Sequence, residues 1–243
     1  MKLGSLIWIF ACWLGVGLAT PCSAYIPDDA QGGSAPAERQ QLTTSFNVQD
    51  GQIVVPFPAG FCAPPPSYSE KIELAAKSLA QMNVHFGAMI VSCKDIVQPS
   101  REPIAIMVGS VNRAPLKESR LSYLRKLTDY FESKQAQLTN QLGQNNAKDI
   151  IEKNTGSKID INGQYGFMDA DDNAVYILAN MQMSVDKNRK SGQIIEAMTT
   201  FNGYVVVYLV VAGPGSREDA SYLLSVVKVD VAQLVTANEN LMG

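Results

Sequence analysis

The residues able to carry chemistry are few, and their spacing limits what they can do. The chain of 243 residues holds one histidine, His85, and four cysteines, Cys12, Cys22, Cys62 and Cys93. A Ser-His-Asp hydrolase needs a histidine oriented by a carboxylate beside an activated serine. His85 opens the apolar stretch HFGAMIVSC, and no G-x-S-x-G elbow occurs in the chain. It reads as a histidine at a strand end. Pairing it with Cys62 or Cys93 as a nucleophile would compete with a disulfide between those two cysteines. Zinc needs several nitrogen or sulfur ligands at tetrahedral spacing, and one histidine with two distant cysteines does not supply them. Calcium needs clustered oxygens, which Asp169, Asp171, Asp172 and Asn173 bring together in a short loop. Their spacing is not that of an EF-hand, and Asp and Asn are the residues a hairpin turn requires. Gly213-Pro214-Gly215 precedes a helix start, where an anion can bind. Proline removes a backbone donor there and no Lys-Ser or Lys-Thr follows, so the segment reads as a helix entry. The sequence thus names no catalytic residue, no metal ligand and no cofactor.

The first 24 residues carry an address. Lys2 is a short positive region, Leu3 to Ala19 is almost unbroken apolar sequence, and Thr20-Pro21-Cys22-Ser23-Ala24 offers small residues for cleavage before Tyr25. That order is the one a secretory signal peptide requires. A membrane anchor is the alternative, but the apolar run sits at the short end of the roughly 20 residues needed to cross a bilayer. No Lys or Arg cluster follows it. Cys12 and Cys22 raise the possibility of lipidation, yet Pro21 precedes one and bulky Phe10 stands near the other, so neither makes a good lipobox. The expectation is an exported protein, periplasmic or secreted, with no membrane span after cleavage. In such a compartment Cys62 and Cys93, the pair left after cleavage, are expected to form a structural disulfide.

With 20 Lys and Arg against 23 Asp and Glu and no basic cluster, the chain is a poor match for nucleic acid or for an anionic membrane surface. Residues 25–44 lack large apolar side chains and read as a flexible leader. Residues 45–243 read as a single globular domain. Its first elements are two short strands, 45–49 and 52–57, around Asp50-Gly51. Pro64-Pro65-Pro66 delays any helix until Ser67, which with Glu70 suggests a capping box. Ile72, Ala75, Ala76, Leu79 and Met82 then follow at helical spacing. Strands are expected over 85–93 and 104–111. A helix over 117–141 has Leu121, Leu124, Leu127, Phe131 and Leu138 as its buried face, and a shorter one over 147–154 ends at Gly156.

Four strands follow, over 158–168, 174–182, 193–200 and 204–211, forming an antiparallel meander. Asn202-Gly203 is a strong two-residue hairpin signal. The last strand, YVVVYLVV, is apolar on both faces and is expected near the centre of the sheet. Ser216 and Asp219 cap a final helix with Ala220, Leu223, Leu224, Val227, Val231 and Leu234 on one stripe. The fold class is α+β: an antiparallel sheet with a C-terminal four-strand meander, flanked by helices as an α/β/α sandwich. Tyr165, Phe167, Tyr176, Phe201, Tyr204 and Tyr208 lie on the meander, mostly as core, with any exposed subset a surface for a partner. The polar arm 133–149 is a second candidate for contacts, against the simpler reading of a solvated helix face.

This order of elements resembles the PsbP-like group over residues 50–236: a short strand ending in proline (IVVPFPAGF), a helix, two strands, a long helix, a meander with a tight hairpin, and the terminal helix SREDASYLLSVVKVDVAQLV. The likeness is one of topology and apolar pattern. It implies a sheet between helices in a largely non-enzymatic group of accessory subunits and binding modules, and carries no functional residue across. The expected function is an exported binding or accessory module for a protein partner or small ligand. The alternative is an exported hydrolase whose site includes His85.

Overall fold

A computed structural model describes residues 42–239, apart from 50, 82, 94–96, 100, 112–113, 142–148, 150–151, 154–157 and 186–187. The expected signal peptide and all but the last three residues of the expected leader lie outside the described residues, as does most of the expected helix over 147–154. Asp149, Glu152 and Lys153, described within it, are helical.

Among the described residues nine strands and three long helices form the α+β domain. The hairpin β1 (Thr43–Val48) and β2 (Gly51–Pro56) pairs antiparallel as a sheet of its own. The other strands are β3 (Phe61–Cys62), β4 (Val84–Ser92), β5 (Ala105–Val111), β6 (Ile159–Ala170), β7 (Val175–Val185), β8 (Asn188–Phe201) and β9 (Tyr204–Ala212). They form one antiparallel sheet in the order β3-β4-β5-β9-β8-β7-β6. The all-apolar β9 takes the middle place and every one of its residues is buried, because only a strand covered on both faces can carry such a sequence.

The faces of the sheet sort by strand parity. On one, Val175, Ile177, Ala179, Met181, Val207 and Leu209 pack against α1 (Ser69–Gln81) and α2 (Arg120–Gln141). On the other, Tyr176, Ile195, Ala197, Tyr208 and Val210 meet Leu223, Val227, Val231 and Leu234 of α3 (Arg217–Glu239), together with the β1–β2 hairpin. Among the described residues α3 is the one helix long and apolar enough to cross a membrane; here its stripe lies buried across the sheet.

Local chemistry accounts for the junctions. At Asn202-Gly203 both residues take positive φ, 50° and 79°, the turn that matches strand twist. The α3 cap forms as a reciprocal pair: Asp219 N donates to Ser216 Oγ at 3.2 Å, and Ser216 N donates to the Asp219 carboxylate at 2.9 Å. The aromatics expected on the meander are core: Tyr176, Phe201, Tyr204 and Tyr208 are buried on the α3 side of the sheet, and Tyr165 is buried on the other side, where Phe167 packs. The polar arm 133–149 lies largely outside the described residues.

Some expectations need correction. The first helix does not start at Ser67. Pro65 holds the chain extended and Pro66–Tyr68 winds as a 3₁₀ turn, so α1 begins at Ser69. The α2 cap is Ser119, whose Oγ accepts from Ser122 N, and the helix starts at Arg120. Leu121 is 53% exposed, because the buried stripe runs through Tyr123, Leu124, Leu127 and Phe131. The hairpin starts at Thr43, two residues before the expected strand. The short strand β3 was not expected; it pairs Phe61 with Ser92 and Cys62 with Val91 on β4.

Candidate functional site

Cys62 and Cys93 form a disulfide with Cα atoms 5.5 Å apart, fastening the two-residue edge strand β3 to the end of β4. Residues so placed have a structural role.

The acidic turn between β6 and β7 is occupied by protein groups. One Asp171 oxygen accepts from Asn173 N at 2.9 Å and Ala174 N at 3.0 Å, and from the Tyr176 hydroxyl at 3.2 Å. Lys228 of α3 reaches Asp169 at 2.6 Å and Asp171 at 3.6 Å, and lies 5.4 Å from the centre of the Tyr176 ring. The Lys228 hydrogen bond holds the Asp169 carboxyl below its usual range. Among the described residues no group of three or more His, Cys, Asp or Glu side chains is placed to hold a metal.

His85 lies directly across from Ser110 in the β4–β5 register. Both line a cleft of about 190 Å³ with Asn47, Val48, Gln49, Val111 and Tyr204. The His85 ring is 5.9 Å from that of Phe46, tilted by 40°. No carboxylate is among the described lining residues, so the orienting third member of a triad is missing from this arrangement.

A larger cleft, about 410 Å³, opens on the α3 side of the sheet, beyond the first turn of that helix. Two rows of side chains cross three strands there. Register places Gln164 beside Asn180 and Asn180 beside Gln193; one step along, Asn162 faces Gln182 and Gln182 faces Ser191. Pairs two residues apart on one strand point to the same face, so all six side chains share it. The lining is completed by Gly163, Met181, Gly192, Pro214 and Gly215, and none of these side chains ionises.

Gln193 anchors the cleft and is 2% exposed, while the other four amides and Ser191 are exposed. Its Nε2 donates to Asn180 Oδ1 and to Gly215 O, both at 3.0 Å. Its Oε1 has no hydrogen-bond partner among the described residues. Such an orphan acceptor costs about 1–3 kcal/mol unless a guest group satisfies it.

The Gly213-Pro214-Gly215 segment is a helix entry, as its sequence suggests, and it forms one wall of this cleft. The helix terminus beside it already holds anionic side chains. Asp219 caps it, and Arg101 pairs with both Asp219 and Glu218. The Arg101 hydrogen bond, with those from Ser216, pulls the Asp219 carboxyl down to about 2.

Sequence inspection missed these amides. The available signal was a set of neutral polar residues alternating with apolar or small ones in NGQ, NMQ and SGQ, where surface strands more often carry charge. No protein-family model matches the chain, and no curated protein matches it.

Proposed function

We propose that the chain is an exported, periplasmic binding or accessory module, non-catalytic, whose contact site is the amide-lined cleft beside the start of α3. The observation that carries this reading is the lining itself: five amides and a serine converge from three strands, with no ionisable group among them. Amide side chains bind and orient well but are weak acids, bases and nucleophiles, so the cleft suits recognition. The signal-like first 24 residues, the Cys62–Cys93 disulfide and the PsbP-like order of elements support the rest of the reading.

A two-dimensional NMR screen of the ¹⁵N-labelled protein against a mixed library of small polar molecules tests it. Expected are shifts in the side-chain NH₂ signals of Asn162, Gln164, Asn180, Gln182 and Gln193. The competing reading, a hydrolase built on His85, draws on the His85–Ser110 adjacency. It requires shifts around His85 and a hydrolytic activity abolished by His85→Ala. That pair of results would replace the binding reading.

A further inference from the structure

Resting on the reading of the amide cleft as the binding site, we infer that its ligand is a neutral saccharide, held through its hydroxyl groups. A primary amide offers donors and an acceptor on one rigid plane, and a sugar hydroxyl is itself both donor and acceptor. The two therefore satisfy each other in either sense. The rows Gln164–Asn180–Gln193 and Asn162–Gln182–Ser191 place such groups about 4.8 Å apart across strands and about 7 Å apart along them. That grid matches hydroxyls on opposite sides of a pyranose ring and on its neighbour. The exposed Pro214 gives the grid an apolar wall for the C–H face of a ring. The volume of about 410 Å³ lies in the lower part of the range for small-ligand sites.

Charge separates this class from its rivals. A sugar phosphate or uronic acid would enter a cleft with no cation among its lining residues. It would also approach a helix terminus already filled by Asp219, with Glu218 beside it. A cationic ligand would find no carboxylate in the lining either. An extended peptide binds by completing a strand edge; of the strands lining the cleft β7 and β8 are paired on both sides and β6 is the edge, so a peptide probe belongs among the controls.

The test is a titration of the full-length, disulfide-bonded protein with cellobiose, maltose and N,N′-diacetylchitobiose, read on the side-chain NH₂ signals. Galacturonic acid, glucose 6-phosphate and a tri-glycine peptide serve as controls. At least one neutral sugar is expected to shift the cleft amides saturably, with the charged sugars at least tenfold weaker. Gln182→Ala and Asn162→Ala, at exposed positions where folding is not at stake, are each expected to weaken binding about tenfold. Saturable shifts with the peptide or a charged sugar, and none with the neutral sugars, would overturn the ligand class and leave the cleft as the site. Silence of the cleft amides toward every probe, with shifts elsewhere, would overturn the site as well.

Discussion

Glu196 sits on β8 between Ile177 and Leu209 of the flanking strands and faces the α1–α2 side of the sheet. It is 1% exposed, and neither carboxyl oxygen has a hydrogen-bond partner among the described residues. Burial pushes its pKa up to about 8, from an ordinary 4.5. Between these values the folded chain keeps a proton that the unfolded chain has released, so stability is highest below 4.5 and falls as pH rises toward 8. At about 1.4 kcal/mol per pH unit, the loss is about 1 kcal/mol at pH 5, about 3 at pH 7 and about 4 at pH 8. Glu196→Gln keeps the shape of the neutral acid and cannot ionise. Urea denaturation across this range should therefore show the variant ahead by about those amounts, with the gap widening as pH rises. Comparison within one buffer cancels the contributions of Asp169 and Asp219. Asp230, raised to about 7 by burial, leaves both proteins a shared residual slope. Circular dichroism is the suitable probe, since Trp8 and Trp13 both lie in the signal-like segment. A gap that stays constant from pH 5 to 8 would refute the reasoning.

Replacing both Cys62 and Cys93 by alanine opens a loop of 31 residues and should lower stability by about 3–4 kcal/mol in the chain-entropy model. Urea midpoints that coincide for the two proteins would contradict it. Asn238→Ala leaves the backbone N–H and C=O of Val54, now bound at 2.9 and 2.8 Å, without these partners. The expected cost is about 1–3 kcal/mol, with faster amide exchange at Val54; unchanged exchange there would count against it. Gly203→Ala places a methyl 2.5 Å from Leu116 O at a φ of +79°, and should cost about 1–3 kcal/mol from backbone strain. A calorimetric melt within a degree of the parent would contradict that. Millimolar calcium should not move the melting temperature, because Lys228, Tyr176 and backbone amides already engage the Asp169–Asn173 turn. A rise of several degrees would show a metal site there.

Local signals in the sequence account for the elements that were legible. The runs 174–182 and 193–200 read as strands, though shorter than β7 and β8, continuous apolarity marked β9, and Asn202-Gly203 and Ser216-x-x-Asp219 set two boundaries through chemistry confined to four residues. The cysteine pairing was legible because few cysteines were present. What could not be read depends on partners distant in the chain. β3 is a strand only because β4 offers it an edge. Leu121 falls off the buried stripe because the sheet, which the helix sequence does not contain, sets which side of α2 is covered. The amide cleft is the clearest case: its rows exist only in the register that sets Asn180 opposite both Gln164 and Gln193, and a one-residue slip would send alternate amides to opposite faces. Gly87 belongs here too, since the reason for a glycine is the Phe46 ring of another sheet, 2.4 Å from where a Cβ would stand.

The Asn238 bond to Val54 spans 184 positions of the chain, and it has a bearing on the order of assembly. Among the described elements the β1–β2 hairpin is made before all the others, yet the face it rests on includes α3, which is made after them. An isolated two-stranded hairpin is marginal in water, and pairing across such a separation carries a large loop-closure cost. The hairpin therefore waits for α3, and the Asn238 amide acts as a latch that closes only once that helix is in place. A chain truncated before the last turn of α3 would lose this bond and loosen β2 from the helix, while Phe46 of β1 would keep its contacts with β4.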